Sequence, residues 1–122
     1  MGYMVHHAIV VTDRAYEDWI VTAHDVARRL FGEQVSEIVA SPINGYRSFF
    51  IAPDGSKEGW PESDEGDIRR AAFREWLHAC EYDDHSSPLV WVEVQYGDDD
   101  METRVIDDSD ANARAAYEAE DN

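Results

Sequence analysis

The sequence predicts an α+β fold, in which two helices cover one face of an antiparallel sheet. Three observations predict it: a β-branched run near the start, an amphipathic helical repeat after it, and strict two-residue alternation over residues 89–96. The order β-α-β-β-α-β, with a further strand after it, is that of a ferredoxin-like sandwich, although other α+β arrangements use the same elements. Residues 1–107 are expected to form one domain and residues 108–122 an acidic C-terminal tail, at best a frayed helix.

The chain begins with a strand and a helix. Residues 5–12 are bounded by polar residues and rich in β-branched side chains, which favours a strand. Thr12 or Asp13 can cap the following helix, and Gly32 can end it. The apolar side of this helix is predicted to contain Tyr16, Trp19, Ile20, Ala23, Val26, Ala27 and Leu30.

A hairpin is predicted next, from strands at residues 35–40 and 46–52. Asn44-Gly45 between them tolerates the two positive φ angles of a type I′ turn. Pro42 lacks a backbone N–H, so the strand before it is expected at a sheet edge.

The second half supplies another helix and two strands. A polar loop at residues 56–66 leads to a helix that starts near Asp67. Residues 89–96 form a strand, and residues 102–107 return as a fifth. The predicted apolar stripe of the second helix consists of Ile68, Ala72, Trp76, Leu77 and Cys80, with Arg69, Arg70 and Arg74 exposed.

Charge is concentrated in the last third of the chain. The sequence has 27 acidic and 10 basic side chains, a formal net charge of −17. Residues 81–122 contain fourteen acids and two arginines, so about two thirds of the excess lies there. Direct binding to a nucleic-acid backbone is therefore not expected. No apolar run reaches the roughly 18 residues of a membrane span, and we expect a cytoplasmic protein.

Little in the sequence points to catalysis. His6 and His7 are adjacent on a strand and point to opposite faces, so the pair cannot chelate one metal ion. The lone Cys80 cannot form an internal disulfide. The run Asp98-Asp99-Asp100 lacks the alternating acids and central glycine of a calcium loop. We predict no catalytic residue, no cofactor and no metal ion.

Two tryptophans are candidate anchors for a protein partner. If the helices cover the valines of residues 89–96, Trp91 and Glu93 lie on the open face of the sheet. Trp60 lies in a loop beside Pro61. The acidic residues proposed to surround these anchors are Glu81, Asp83, Asp84, Asp98, Asp99, Asp100, Glu102, Asp107, Asp108 and Asp110, followed by Glu118, Glu120 and Asp121.

Four segments carry a family resemblance: residues 6–12 (HHAIVVT), 44–49 (NGYRSF), 52–60 (APDGSKEGW) and 94–99 (VQYGDD). Together they resemble a group of small, acidic, uncharacterised bacteriophage proteins. The resemblance implies an accessory role, in which the protein binds and inhibits or redirects a host enzyme or defence complex inside a bacterial cell. It supplies no catalytic residues.

The leading hypothesis is a non-enzymatic, phage-type accessory protein that binds a basic site on a host nucleic-acid-handling or defence protein. Its carboxylates could imitate nucleic acid, or they could only keep the protein in solution. One alternative is a small-ligand domain or enzyme that uses His6 or His7 with Glu93 and Tyr46 on the open sheet face. Another is a housekeeping domain adapted to high salt.

Overall fold

The computed structural model describes residues 4–14, 18–97 and 102–120. Its five strands form one antiparallel sheet in the order β2-β3-β1-β4-β5. The elements are β1 (His6–Asp13), α1 (Trp19–Phe31), β2 (Val39–Ala40), β3 (Arg47–Ile51), α2 (Pro61–Ala79), β4 (Leu89–Tyr96), β5 (Arg104–Asp108) and α3 (Ala111–Glu120). The predicted α+β class is confirmed, but the expectation of two helices is wrong because three are present. Within the described ranges, no helix has the length and apolar character needed to cross a membrane.

Strand β1 lies at the centre of the sheet, between β3 and β4. Val11 is opposite Phe49 on one side and Trp91 on the other, so these three side chains point to the same face. The helices cover this face. The buried core consists of Ile9, Val11, Ile20, Ala23, Ala27, Phe31, Val35, Phe49, Ile51, Phe73, Leu77, Leu89 and Trp91.

Helix α1 starts later than the predicted cap. Thr12 and Asp13 remain in β1, and the helix begins after Asp18, whose carbonyl oxygen accepts the amides of Val21 and Thr22. The predicted C-terminal stop is confirmed, because Gly32 follows the helix with φ 61°. The predicted stripe residue Tyr16 lies outside the described residues.

The predicted hairpin turn is confirmed by its backbone angles. Asn44 and Gly45 both have φ 65°, as a type I′ turn requires. The predicted edge position of the strand before Pro42 is also confirmed, although β2 contains only two residues. Earlier in the predicted strand, Val35 makes only an isolated bridge to Ile51.

Helix α2 starts six residues before the predicted position. Pro61 occupies its first turn, where a missing backbone N–H costs nothing. The longer helix buries Ser63, Gly66, Arg70, Phe73 and Leu77. The predicted stripe is therefore wrong in part: Ile68 is 69% exposed, and Arg70, predicted to be exposed, is buried.

Helix α3 occupies ten residues of the predicted tail. Ser109 connects it to the sheet, since its amide donates to the Trp91 carbonyl at 2.9 Å and its hydroxyl accepts the Trp91 amide at 3.2 Å. Asn112 Nδ2 donates to Glu81 Oε1 at 3.0 Å. These bonds hold the start of α3 close to the C-terminal end of α2.

Candidate functional site

The predicted surface anchor Trp91 lies in the core. It is 2% exposed, and its ring centroid lies 4.9 Å from that of His78. Glu93 is buried beside it, whereas Val90 on the opposite face is 42% exposed. The expectation that the helices cover the valines is thus wrong. On the Trp91 face, β1 and β3 contribute larger apolar side chains than they do on the opposite face. Covering the Trp91 face therefore removes more apolar surface from water than covering the valines would.

The buried carboxylate of Glu93 faces two internal partners. Arg74 Nη1 donates to Glu93 Oε1 at 2.6 Å, and His7 Nδ1 lies 3.6 Å from Oε2. Burial acts to raise the pKa of Glu93, but His7 and Arg74 outweigh it and hold the pKa below its ordinary value. Glu93 therefore belongs to an internal ion pair and is unsuited to a partner surface. Arg74, which was predicted to be exposed, supplies the positive charge of this pair.

Two further carboxylates of the predicted acidic surface bind His78. Its Nε2 lies 2.8 Å from Asp107 Oδ2, and its Nδ1 lies 2.5 Å from Glu81 Oε2. Burial lowers the pKa of His78, but these two carboxylates outweigh it and raise the pKa above its ordinary value of 6.5. A protonated His78 donates to both acids, and its positive charge offsets one of their two negative charges.

The His78 contacts predict a pH-dependent contribution to stability. Because the pKa is raised on folding, the contribution is complete below the unfolded pKa of about 6.5 and is lost as the pH rises through the folded value. Urea unfolding at a series of pH values should show this decline, and His78→Gln should flatten that part of the profile. If His78→Gln leaves the profile unchanged, the two carboxylates do not stabilise the imidazolium.

Asp108 is also paired internally. Arg114 Nη2 donates to Asp108 Oδ2 at 2.6 Å, and this hydrogen bond is the main cause that holds the pKa of Asp108 below its ordinary value. Glu81, Glu93, Asp107 and Asp108 therefore all lie against internal cations, and the four acids share the charges of Arg74, His78 and Arg114. The predicted acidic surface is therefore less charged than its composition indicates.

Three exposed acids of the predicted surface lie at two ends of the sheet. Asp83 and Asp84 are exposed in the loop before β4, whereas Glu102 is exposed just before β5, beside the other end of β4. Eight residues of strand separate these ends, about 24 Å. The predicted run at residues 98–100 and Asp121 lie outside the described residues. Asp83 and Asp84 thus do not form one continuous array with Glu102.

Trp60, the other predicted anchor, remains accessible. Its side chain is 45% exposed, and its residue caps α2 just before Pro61. The Trp60 carbonyl accepts the amides of Ser63 and Asp64, which ties the ring's position to the first turn of the helix. Lys57 Nζ lies 5.8 Å from the ring centroid, within the range of a cation–π contact.

A groove of about 350 Å³ runs beside this ring. It is lined by Asp54, Gly55, Ser56, Trp60, Glu62, Glu65 and Arg69. We call it the Trp60 groove. Asp54 accepts the amide and hydroxyl of Ser56 at 2.8 and 2.6 Å, which outweighs burial and holds the pKa of Asp54 below its ordinary value. With three carboxylates against one guanidinium, the groove suits a cationic side chain.

Gly66 of α2 allows the walls of this groove to approach one another. A Cβ atom at this position would lie 2.6 Å from Oδ2 of Asp54, closer than real Cβ contacts. Arg70 Nη1 lies on the same side, 3.1 Å from that position. A side chain at residue 66 would therefore require the Asp54 carboxylate to move.

The residues of the predicted small-ligand site do not converge. His6 lies beside Tyr96 on the open face, with ring centroids 5.4 Å apart, while His7 faces Glu93 under the helices. Tyr46 lies at another place, in a groove of about 470 Å³ with Thr12, Asp13, Arg14 and Val90. The opposite directions of the two histidines are confirmed, and the assembly of Glu93 and Tyr46 on one face is wrong.

Sequence reasoning missed the internal charge network of α2. The spacing of His78 and Glu81, three residues apart, is one pattern that could have indicated it. Among the residues that the structure describes, no group of three or more histidine, cysteine, aspartate or glutamate side chains is arranged to hold a metal ion. Cys80 is half-buried, and burial is the main cause that raises the pKa of its thiol.

Comparison of the chain with family models, curated proteins and solved structures gives no match.

Proposed function

We propose that the chain is a non-enzymatic accessory protein that binds the basic surface of another protein through the Trp60 groove. The observation that carries the proposal is an exposed tryptophan set among carboxylates, at the start of a long helix. Tryptophan is enriched among interface residues that contribute most to affinity. Of the two predicted anchors, only Trp60 is accessible to a partner.

The chemistry of the groove favours arginine or lysine side chains. A cation on the Trp60 ring contributes about 0.5–2 kcal/mol, depending on how completely water is removed. Glu62 lies in the same groove and can pair with the cation as it arrives, while Glu65 is already paired with Arg69 at 3.4 Å. The net charge of −17 raises the association rate with a basic partner, and this effect weakens as salt screens it.

The wider role follows the phage resemblance of the sequence. We propose a partner that handles nucleic acid or defends the host cell, because such proteins present basic clefts that a strongly acidic protein can enter. Mimicry of nucleic acid is the narrower form of this proposal. The exposure of Asp83 and Asp84 supports it, while the internal pairing of Asp107 and Asp108 weakens it.

We also propose a more specific fold than the α+β class. The strand order and the antiparallel pairing support a ferredoxin-like topology with β5 added beside β4. Such a fold hosts many activities, so the functional proposal depends on the groove and not on the topology.

Trp60→Ala is expected to weaken binding of a fluorescently labelled arginine-rich peptide by about five- to tenfold, measured by fluorescence anisotropy at low salt. Tyr82→Ala is the matched control, since Tyr82 is 49% exposed at the other end of α2. Its effect should be less than about twofold, because Tyr82 is not part of the Trp60 groove. If binding were purely electrostatic and involved the whole surface, Trp60→Ala would have an equally small effect.

A second pair of variants separates the groove from the mimic surface. Glu62→Lys and Asp83→Lys change the net charge equally but alter different ends of the molecule. We expect Glu62→Lys to reduce peptide affinity more. Equal losses from the two variants, together with no effect of Trp60→Ala, would show that the groove is not the binding site.

A further inference from the structure

The face of the sheet opposite the helices is apolar and open. It consists of alternate side chains of β1, β3 and β4: His6, Ala8, Val10, Thr12, Ser48, Phe50, Val90, Val92, Val94 and Tyr96. We call it the valine face. With every described element in place, Val10, Phe50 and Val90 are still 40%, 44% and 42% exposed. Large apolar patches of this kind on a folded protein indicate an interaction surface.

The chain contains 27 acidic side chains, but β1, β3 and β4 contribute none of them to the valine face. At its edge, Asp108 of β5 lies opposite Val92 and is paired with Arg114. The acids within β1, β3 and β4 are Asp13 and Glu93, and both point to the covered side. A surface adapted only to water would be expected to carry part of such an excess charge. Its absence from a broad sheet face points to contact with another surface that is equally uncharged.

We propose that the valine face packs against the valine face of a second copy of the chain, which gives a two-fold symmetric dimer. Two chains of charge −17 repel each other, so association is most favourable through a surface whose described carboxylate, Asp108, is already paired with Arg114. A basic partner gains little from a face whose described residues present no unpaired negative charge. The second copy presents the required uncharged, apolar and shape-matched surface.

The size of the face is sufficient for a modest dimer. Strands β2 and β5 extend the face with Val39 and Val105, which lie opposite Ser48 and Val94. The five strands of the whole sheet contain 28 residues, which at about 3.4 Å per residue and 4.8 Å between strands cover roughly 450 Å². Side chains that project from the sheet add to the accessible area of the face. The total approaches the smallest area that stable interfaces bury, about 600 Å² per partner. We therefore expect a dimer that forms at high protein concentration.

This dimer does not depend on the proposed function, because the Trp60 groove and the valine face use different residues. The two associations also respond to salt in opposite ways. Binding of a basic peptide weakens as salt rises, whereas self-association strengthens because salt screens the repulsion between the two acidic chains. If one of the two associations is not observed, the other can still be tested.

Sedimentation velocity over a range of protein and salt concentrations tests the proposal. The unmodified chain should shift from monomer to dimer as concentration rises, and the dimer should be favoured at higher salt. Val10→Glu and Phe50→Glu should weaken dimerisation by at least about tenfold, because each buries a carboxylate in the interface. Val21→Glu adds the same charge on α1, where Val21 is 49% exposed, and should change it less than about twofold.

Three outcomes would overturn the proposal. One is a monomer at every concentration, even at high salt. Another is a dimer that survives Val10→Glu and Phe50→Glu in chains with unchanged circular dichroism, or that Val21→Glu disrupts equally. The third is that the unmodified chain stays monomeric and binds a different purified protein, and that Phe50→Glu abolishes this binding. The face would then be the binding site for that partner. Dimers of the unmodified chain that strengthen with salt support the proposal even if a variant fails to fold.

Discussion

Arg74→Ala is expected to lower the free energy of unfolding by about 3–5 kcal/mol. Glu93 is 1% exposed, and the hydrogen bond from Arg74 at 2.6 Å is its strongest contact. Removing the guanidinium leaves the buried carboxylate with His7 at 3.6 Å and the weaker electrostatic effect of Arg70. The loss also affects Asp107, which lies 4.0 Å from Arg74 Nε. Urea unfolding followed by circular dichroism measures the change.

Arg69→Ala is the matched control for this loss. Arg69 lies on the same helix, but its pair with Glu65 is exposed to solvent, so its removal should cost less than about 1 kcal/mol. The double variant Arg74→Met with Glu93→Gln should recover part of the stability, since it leaves no unpaired buried charge. Equal losses from Arg74→Ala and Arg69→Ala would mean that Glu93 is not buried as described.

Trp91→Ala is expected to lower the free energy of unfolding by about 3–5 kcal/mol, because it empties a large volume in the core. Trp91→Phe should cost much less, since it retains an aromatic ring and removes an indole N–H that has no hydrogen-bond partner among the described residues. Trp60→Ala should cost less than about 1 kcal/mol. Thermal unfolding of the three variants distinguishes the core tryptophan from the exposed one.

A result in which Trp91→Ala is harmless and abolishes binding to a partner would contradict the observed orientation of β4. It would place Trp91 on the open face, as the alternation of residues 89–96 allows. Reduced stability with unchanged peptide affinity per folded molecule is the expected combination.

The strands and turns were predictable because they depend on neighbouring residues. The β-branched run of β1 and the alternation of β4 each indicate an extended segment directly. Asn44-Gly45 indicates its own turn. The start of α2 was harder to predict, because Trp60-Pro61 followed by polar residues has the composition of a loop.

The choice of covered face could not be read from local patterns. Alternation divides β4 into two faces but does not say which one the helices contact. Glu93 favoured an exposed position for its own face of β4, since a carboxylate is seldom buried without a partner. Arg74 supplies that partner from α2, nineteen residues earlier in the chain. This pairing depends on which side of α2 faces the sheet, and the predicted stripe had placed Arg74 on the exposed side.

The candidate site was likewise predictable only in part. Composition showed the acidic excess and indicated Trp60 as an anchor. Which acids stay free depends on contacts across the fold, such as His78 with Asp107 and Arg114 with Asp108. These contacts move the proposed binding surface from the acidic C-terminal third to the start of α2.

An NMR titration of the labelled chain with the arginine-rich peptide tests the proposed binding site most directly. The indole N–H of Trp60 and the amides of the first turns of α2 should show the largest changes, and Trp60→Ala should remove them. The amides of Asp83 and Asp84 should change little. Changes centred on those two residues, or spread evenly over all exposed acids, would contradict the assignment of the Trp60 groove.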